Sequence, residues 1–270
     1  MPRQIDTIPT PAHVKPMKII VLSASRSGTH GIYLALKQLG LKPYHMHEAV
    51  ATGPSALKIM IDGMNAELLH RGKPYSREEF DRWLADYDAL VEMPFFMLRS
   101  ILKAYPDAKF LLTERDPEKW ADSYLKTFGT ATVRINRFPI SAFKYFDGFA
   151  FYIVRMANQL LSYHTNGFGV SGNGEGRQAL IEYYKDYIAD VKRLAPPEQL
   201  KVCKLEDGFG WNELCPYLGM PIPDTPWPSP NAPDEFVSAV KPKILMTIAK
   251  GLMGVSTIMG VVAVGVWYAI

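Results

Sequence analysis

Two groups of residues in this chain have the types and spacing to do chemistry. The first is Ser25-Arg26-Ser27-Gly28-Thr29, small hydroxyl residues and a glycine around one guanidinium. Small residues let the backbone approach an anion closely, and arginine offers a planar fork of donors, so this group suits a phosphate or a sulfate. The second is His45, His47 and Glu48. These can accept a proton near neutral pH, as a transfer reaction requires of its base.

The elements around the first group would aim it. Ile19 to Leu22 read as a buried strand, Ser23 to Gly28 as a tight loop, and Thr29 to Leu39 as a helix that Gly40 stops. A helix entered through such a loop points unpaired N–H groups and partial positive charge at one spot. The loop is not that of a nucleoside triphosphatase, which needs G-x-x-x-x-G-K-[ST]. Here His30 follows Thr29, Ser23 holds the first glycine position, and no lysine precedes Thr29. The second group follows a short strand near residues 42–46. If residues 43–47 are extended, His45 and His47 share one face and Met46 takes the other.

A third feature lies further on. Lys109 to Thr113 read as a strand, Asp116 as a helix N-cap and Pro117 as the first helical residue. Arg115 therefore stands at the C-terminal edge of a strand, where open α/β sheets bind ligands. Asp88 and Glu92, at the ends of a strand over 89–91, are outside candidates for the base, and a structural ion pair is the better reading for both.

Strands and helices alternate along the chain, which predicts an α/β fold with a parallel sheet flanked by helices. The 270 residues, 48% hydrophobic and 21% charged, suit one substantial domain with an appendage. The net charge of +3, without a basic run, fits a small anion and gives no sign of nucleic acid. Cys203 and Cys215 fall in a strand and the next helix and read as buried thiols of a reducing compartment. The six histidines form no zinc pattern, and no metal is expected. Residues 129–175 break the alternation with many aromatics and end in a loop at Ser171–Gly176. They read as a lid or acceptor pocket, or equally as an extra helical layer.

Several segments together resemble the fungal-type P-loop sulfotransferase-like family. They are Ser25-Arg26-Ser27-Gly28-Thr29 before a helix ending in Gln38-Leu39-Gly40, then Pro43 to Glu48, then Tyr105 to Trp120 with Ser123 following, and last Pro196 to Leu200 through Trp211, Gly219 and Pro226. The resemblance spans about residues 18–236. It implies a P-loop nucleotide-binding sandwich and transfer of a sulfuryl group from 3′-phosphoadenosine-5′-phosphosulfate (PAPS) to a hydroxyl acceptor. By that resemblance Ser25, Arg26, Ser27, Gly28 and Thr29 would cradle the 5′-phosphosulfate, with Arg26 also stabilising transferring charge. Arg115 and Ser123 would bind the 3′-phosphate. His45 and Glu48 match the family's His and Glu positions, and His47 sits between them. All three stay open as the base, in the order Glu48, His45, His47. The chain departs from the family at Ser27, often threonine, and at Tyr184 to Tyr187, where relatives often carry a His-Asn pair.

Both ends add to this. Residues 1–16 hold Pro2, Pro9, Pro11 and Pro16 without an apolar core, and 1–17 read as an irregular arm rather than a secretory leader. The domain is expected at 18–220, a Pro-rich linker at 221–243 and a membrane-spanning tail anchor at 244–270. Gly251 to Ile270 carries no charge, Lys241, Lys243 and Lys250 precede it, and Trp267 and Tyr268 lie near its far end. An uncharged run of this length with basic and aromatic flanks suits a bilayer and would keep the domain cytosolic. The alternative is a terminal helix docked into the protein's own core. Two other functions compete with transfer: a membrane-tethered binding protein without turnover, and a nucleotide-dependent kinase, which the missing loop lysine disfavours.

Overall fold

The computed structural model describes residues 3–170, 174–228 and 232–269. Residues 171–173 of the expected Ser171–Gly176 loop lie outside the described residues. Five strands, β1 (Ile19–Val21), β2 (Pro43–Tyr44), β3 (Ala89–Val91), β4 (Lys109–Glu114) and β5 (Leu200–Lys204), form one sheet. Its order is β2-β3-β1-β4-β5 and every pairing is parallel. The chain leaves β1 for the β2–β3 side and returns to β4 on the other side. The C-terminal edge of β1 is therefore the point where the winding reverses, the usual ligand crevice of such sheets.

A parallel sheet needs cover on both faces, because its crossovers are helices. Alternation along the strands divides the core accordingly. Ile20, Leu22, Leu90, Phe110 and Leu112 join the larger cluster. Ile19, Val21, Ala89, Val91 and Leu111 join the smaller one. The smaller face is covered by α1 (Thr29–Gln38) and, later, α11 (Trp211–Leu218), through Ile32, Leu36 and Leu214. After β2 come α2 (Met46–Thr52), α3 (Pro54–Leu68), α4 (Arg77–Leu84) and, past β3, α5 (Pro94–Ala104). Beyond β4 run α6 (Pro117–Tyr124), α7 (Thr130–Ile135), α8 (Ile140–Phe143), α9 (Gly148–His164) and α10 (Glu175–Leu194). The last helix is α12 (Ala232–Ala269).

Local signals set these boundaries. Asp116 accepts a bond from the Lys119 N–H at 2.9 Å and Pro117 opens α6, so Arg115 is held just outside the helix. Asp147 caps α9 by accepting the Ala150 N–H at 2.9 Å. Within 129–175, α7 to α9 add helical cover: Phe149, Ile153, Val154 and Leu160 are core residues. This is the helical-layer alternative for that segment.

Two stretches differ from expectation. β2 ends at Tyr44, and His45 already caps α2, so residues 43–47 are not one extended run. His47 and Glu48 occupy the first turn of α2 instead of a strand face. At the other end, α12 starts at Ala232, inside the stretch expected to be linker. Pro233 lies in its first turn, where a missing N–H costs nothing, and Pro242 lies inside it.

Candidate functional site

The loop after β1 is pinned from three directions. From β4, the Thr113 N–H donates to Ser23 Oγ at 2.7 Å and its hydroxyl to the Ser27 carbonyl at 2.6 Å. From α6, Trp120 Nε1 donates to the Ser25 carbonyl at 2.7 Å. Trp120 stacks on Tyr184 of α10 with ring centres 4.5 Å apart, and Tyr184 Oη accepts the Arg115 N–H at 2.8 Å. Carbonyls turned outward to these donors leave the loop's N–H side available to an anion. Two positive φ angles make the turn, Arg26 at 73° and Gly28 at 81°. For arginine that region is strained, so the surrounding bonds hold it there. A Cβ at Gly28 would stand 3.0 Å from Leu205 Cδ1.

The residues expected to hold a nucleotide converge here although they are far apart in sequence. Arg26 Nε lies 3.4 Å from Ser123 Oγ, and Arg115 Nη1 donates to the Arg26 carbonyl at 2.9 Å. Ser27 and Thr29 are buried under the loop and at the first turn of α1. The first N–H groups of α1 have no acceptor within the helix and open on the same place. Burial and the nearby Arg115 push Arg26 below the ordinary arginine range, and Glu92 partly offsets them. Two cations this close favour an anionic ligand.

On the β2–β3 side, His30, Tyr33, His45 and His47 form a ring cluster. His30 lies 5.6 Å from His45 and 5.4 Å from His47 between ring centres. His45 Nδ1 accepts the His47 N–H at 3.2 Å, and Nε2 lies 3.0 Å from Glu92 Oε2. With Nδ1 used as an acceptor, a neutral ring carries its proton on Nε2, facing the carboxylate. In that tautomer the Nδ1 lone pair is taken up by the His47 N–H. Burial pushes the Glu92 carboxyl up, but His45, Ser25 and Arg26 outweigh it and hold it below its ordinary value. Glu92 thus links the histidine cluster to the loop. Its φ of 70° marks a second strained residue at a strand edge.

Glu48 accepts the Tyr33 hydroxyl at 2.6 Å, and Lys37 Nζ in turn approaches Tyr33 Oη at 3.3 Å. Burial, then the contact with Glu48, raises Tyr33 well above an ordinary tyrosine, so it remains a donor at neutral pH. Asp88 lies elsewhere. It accepts the Lys42 N–H at 2.7 Å and pairs with Lys18 at 3.2 Å, a structural role.

Sequence reading underweighted Glu92 and passed over the supporting roles of Trp120 and Tyr184. Trp120 sits in the segment that carries Arg115, and Tyr184 stands where the family pattern is broken, which were the available signals. Among the described residues no three His, Cys, Asp or Glu are grouped to hold a metal. A groove of about 620 Å³ between α9 and α10, lined in part by Gln159, Tyr163, His164 and Asp186, touches none of these loop residues.

The chain is 29% identical over 257 residues to the Ava biosynthesis cluster protein M of Aspergillus versicolor, across 93% of this chain and 96% of that one. It is also similar to a sulfotransferase from Alicyclobacillus acidocaldarius whose crystal structure is known. That similarity has 16% identity and a TM-score of 0.42 over 88% of this chain and 94% of the other. The sulfotransferase domain family matches residues 18–236, a span from just before β1 into the start of α12 that contains the whole sheet and every residue of the loop. The chain belongs to the sulfotransferase domain family.

Proposed function

We propose that the protein moves the sulfuryl group of PAPS to a hydroxyl of an apolar small molecule, at a membrane that α12 enters from the cytosolic side. The observation that carries this reading is the meeting of Arg26, Arg115 and Ser123 at the winding reversal of the sheet. One loop and two side chains from another segment then offer separate places for a 5′-phosphosulfate and a 3′-phosphate. The Arg26 guanidinium and the loop N–H groups other than that of Ser27, which donates to the Ala24 carbonyl at 3.1 Å, hold the former; Arg115 and Ser123 hold the latter. The bond formed joins the acceptor oxygen to sulfur, and the bond broken joins sulfur to the bridging phosphate oxygen. Arg26 and the loop N–H groups stabilise charge on the departing phosphate. The acceptor proton goes to Glu48, whose carboxylate Tyr33 orients. His45 and Glu92 position the histidine cluster and the loop, and His47 borders the acceptor side.

A hydrophobic acceptor suits the apolar helix beside α2, and a relative named for a biosynthesis cluster supports a small molecule. The basic residues Lys241, Lys243 and Lys250 favour the cytosolic side for the domain. The test is transfer of label from ³⁵S-PAPS by the full chain in lipid nanodiscs, with a panel of phenols and long-chain alcohols. Label should reach an acceptor and fail to do so with Arg26→Ala. Equal transfer by Arg26→Ala would reject the assignment. Tight nucleotide binding with no transfer to any member would favour a binding protein without turnover.

A further inference from the structure

The C-terminal helix does not leave the domain at one clean point. Its first part docks. Thr247 is fully buried, with its hydroxyl 3.2 Å from Asp147 Oδ1, and Lys250 Nζ donates to Asp147 Oδ2 at 2.6 Å. The lack of a side chain at Gly251 and Gly254 lets Phe143 and Phe146 lie directly on the helix; an added Cβ would stand 2.1 Å and 2.4 Å from these rings. Beyond, Val255, Ile258, Met259, Val261, Val262, Val264, Val266 and Trp267 are exposed.

Among the described residues, the helix stretch long and apolar enough to cross a membrane is Ser238–Val264, which overlaps the docked part. Trp267, 80% exposed, fits one headgroup layer. A hydrocarbon core of about 30 Å takes about 20 residues of helix at 1.5 Å each. Counting back from Trp267, the other boundary falls near Thr247 to Gly251. The side chains packed on Gly251 and Gly254 must then stand at bilayer level.

These belong to a segment with the matching chemistry. Phe138 is 76% exposed and Tyr145 72%, and Phe146, which lies against Gly254, still exposes 39%. From Arg134 to Phe146 the chain carries Arg134, Arg137 and Lys144 and no acid. Aromatics flanked by cations are what the headgroup layer of an anionic leaflet accepts. Lys250, the one charge in the stretch from Ile244 onward, is neutralised by Asp147 where the boundary falls.

We propose that residues 134–146 form a wedge embedded in the headgroup and upper acyl region of the leaflet that α12 enters. This rests on α12 being a membrane span. The wedge and the docked turns of α12 fix the domain against the bilayer as a rigid unit instead of letting it swing on a linker. They also bring the acceptor side close: Lys243 Nζ of α12 lies 3.4 Å from the Ala51 carbonyl of α2, the helix that carries His47 and Glu48. An apolar acceptor would then arrive by lateral diffusion in the membrane.

The test is spin-label accessibility in liposomes containing phosphatidylserine. Full-length protein with Cys203→Ser and Cys215→Ala would carry one label at Phe138→Cys, Tyr145→Cys, Val262→Cys or, as the water reference, Glu78→Cys. Relative to position 78, collisions with oxygen should rise and those with a polar nickel chelate fall at 262, 138 and 145. A membrane pattern at 262 with a water pattern at 138 and 145 would overturn the wedge and leave the anchor standing. A water pattern at all positions would remove both. Low access to both reagents at 138 and 145 with spin–spin broadening would put a second copy of the chain there, and also overturns the wedge. If the variants do not fold, photolabelling of the unaltered chain by a diazirine lipid reads the same surface: label must map to 134–146 as well as to α12, and label on α12 alone contradicts the proposal.

Discussion

Replacing Arg115 by alanine should separate the two phosphate sites. Arg115 would have two jobs. Its Nη1 holds the Arg26 carbonyl at 2.9 Å, and under the proposed function its guanidinium binds the 3′-phosphate. A hydrogen bond between charged groups contributes about 1.5–3 kcal/mol, and one to a carbonyl about 1 kcal/mol. A ligand without a 3′-phosphate feels only the second loss, through a loosened loop. 5′-AMP should therefore bind about 5-fold more weakly, and 3′,5′-ADP, which feels both losses, about 50-fold or more. Calorimetric titration of wild type and Arg115→Ala with each nucleotide gives both ratios directly. Equal losses for the two nucleotides would show that Arg115 shapes the loop and contacts no 3′-phosphate, and the reasoning would fail.

Three further outcomes follow from the same geometry. Glu48→Gln should lower kcat by about 10²–10⁴-fold and leave 3′,5′-ADP affinity unchanged, because the carboxylate serves the acceptor proton; an unchanged kcat would move the base elsewhere. Gly28→Ala forces a side chain into φ 81° and should cost about 1–2 kcal/mol of stability as well as nucleotide affinity, measured by thermal unfolding with and without 3′,5′-ADP. Burial lowers His164 to about 3, with its Nδ1 2.7 Å from the Tyr124 hydroxyl. Unfolding returns it to about 6.5, so the unfolded chain binds the extra proton and stability falls as pH drops below that value, by up to about 1.4 kcal/mol per unit. His164→Gln should flatten the wild-type decline between about pH 6 and pH 4, and parallel curves would refute this.

The parts of the site legible in the sequence are those set by local pattern. The strand, small-residue loop and helix from Lys18 to Gln38 follow from side-chain size and periodicity, and Asp116-Pro117 fixes Arg115 at a strand edge. The family resemblance supplied the pairing of Arg115 with Ser123, and the fold brings both to Arg26. What local pattern could not show is contact between strands. Glu92 meets His45 because β2 and β3 are neighbours, a fact of sheet order. The extended reading of 43–47 failed because His45 caps a helix through its own ring, with Glu48 at the third helical position as a faint signal. The start of α12 was hidden by prolines. Pro233 followed by Asp234 and Glu235 reads equally well as a helix N-terminus, whereas docking through Gly251 and Gly254 depends on Phe143 and Phe146, about a hundred residues earlier.

The central claim is that the loop and Arg115 form a pocket for a nucleotide bearing both a 5′- and a 3′-phosphate. The most direct measurement is calorimetric titration of the full chain in nanodiscs with 3′,5′-ADP, with ATP and magnesium as the comparison. The account predicts tight, saturable binding of 3′,5′-ADP and none of ATP. Binding of ATP without binding of 3′,5′-ADP by the folded protein would contradict it.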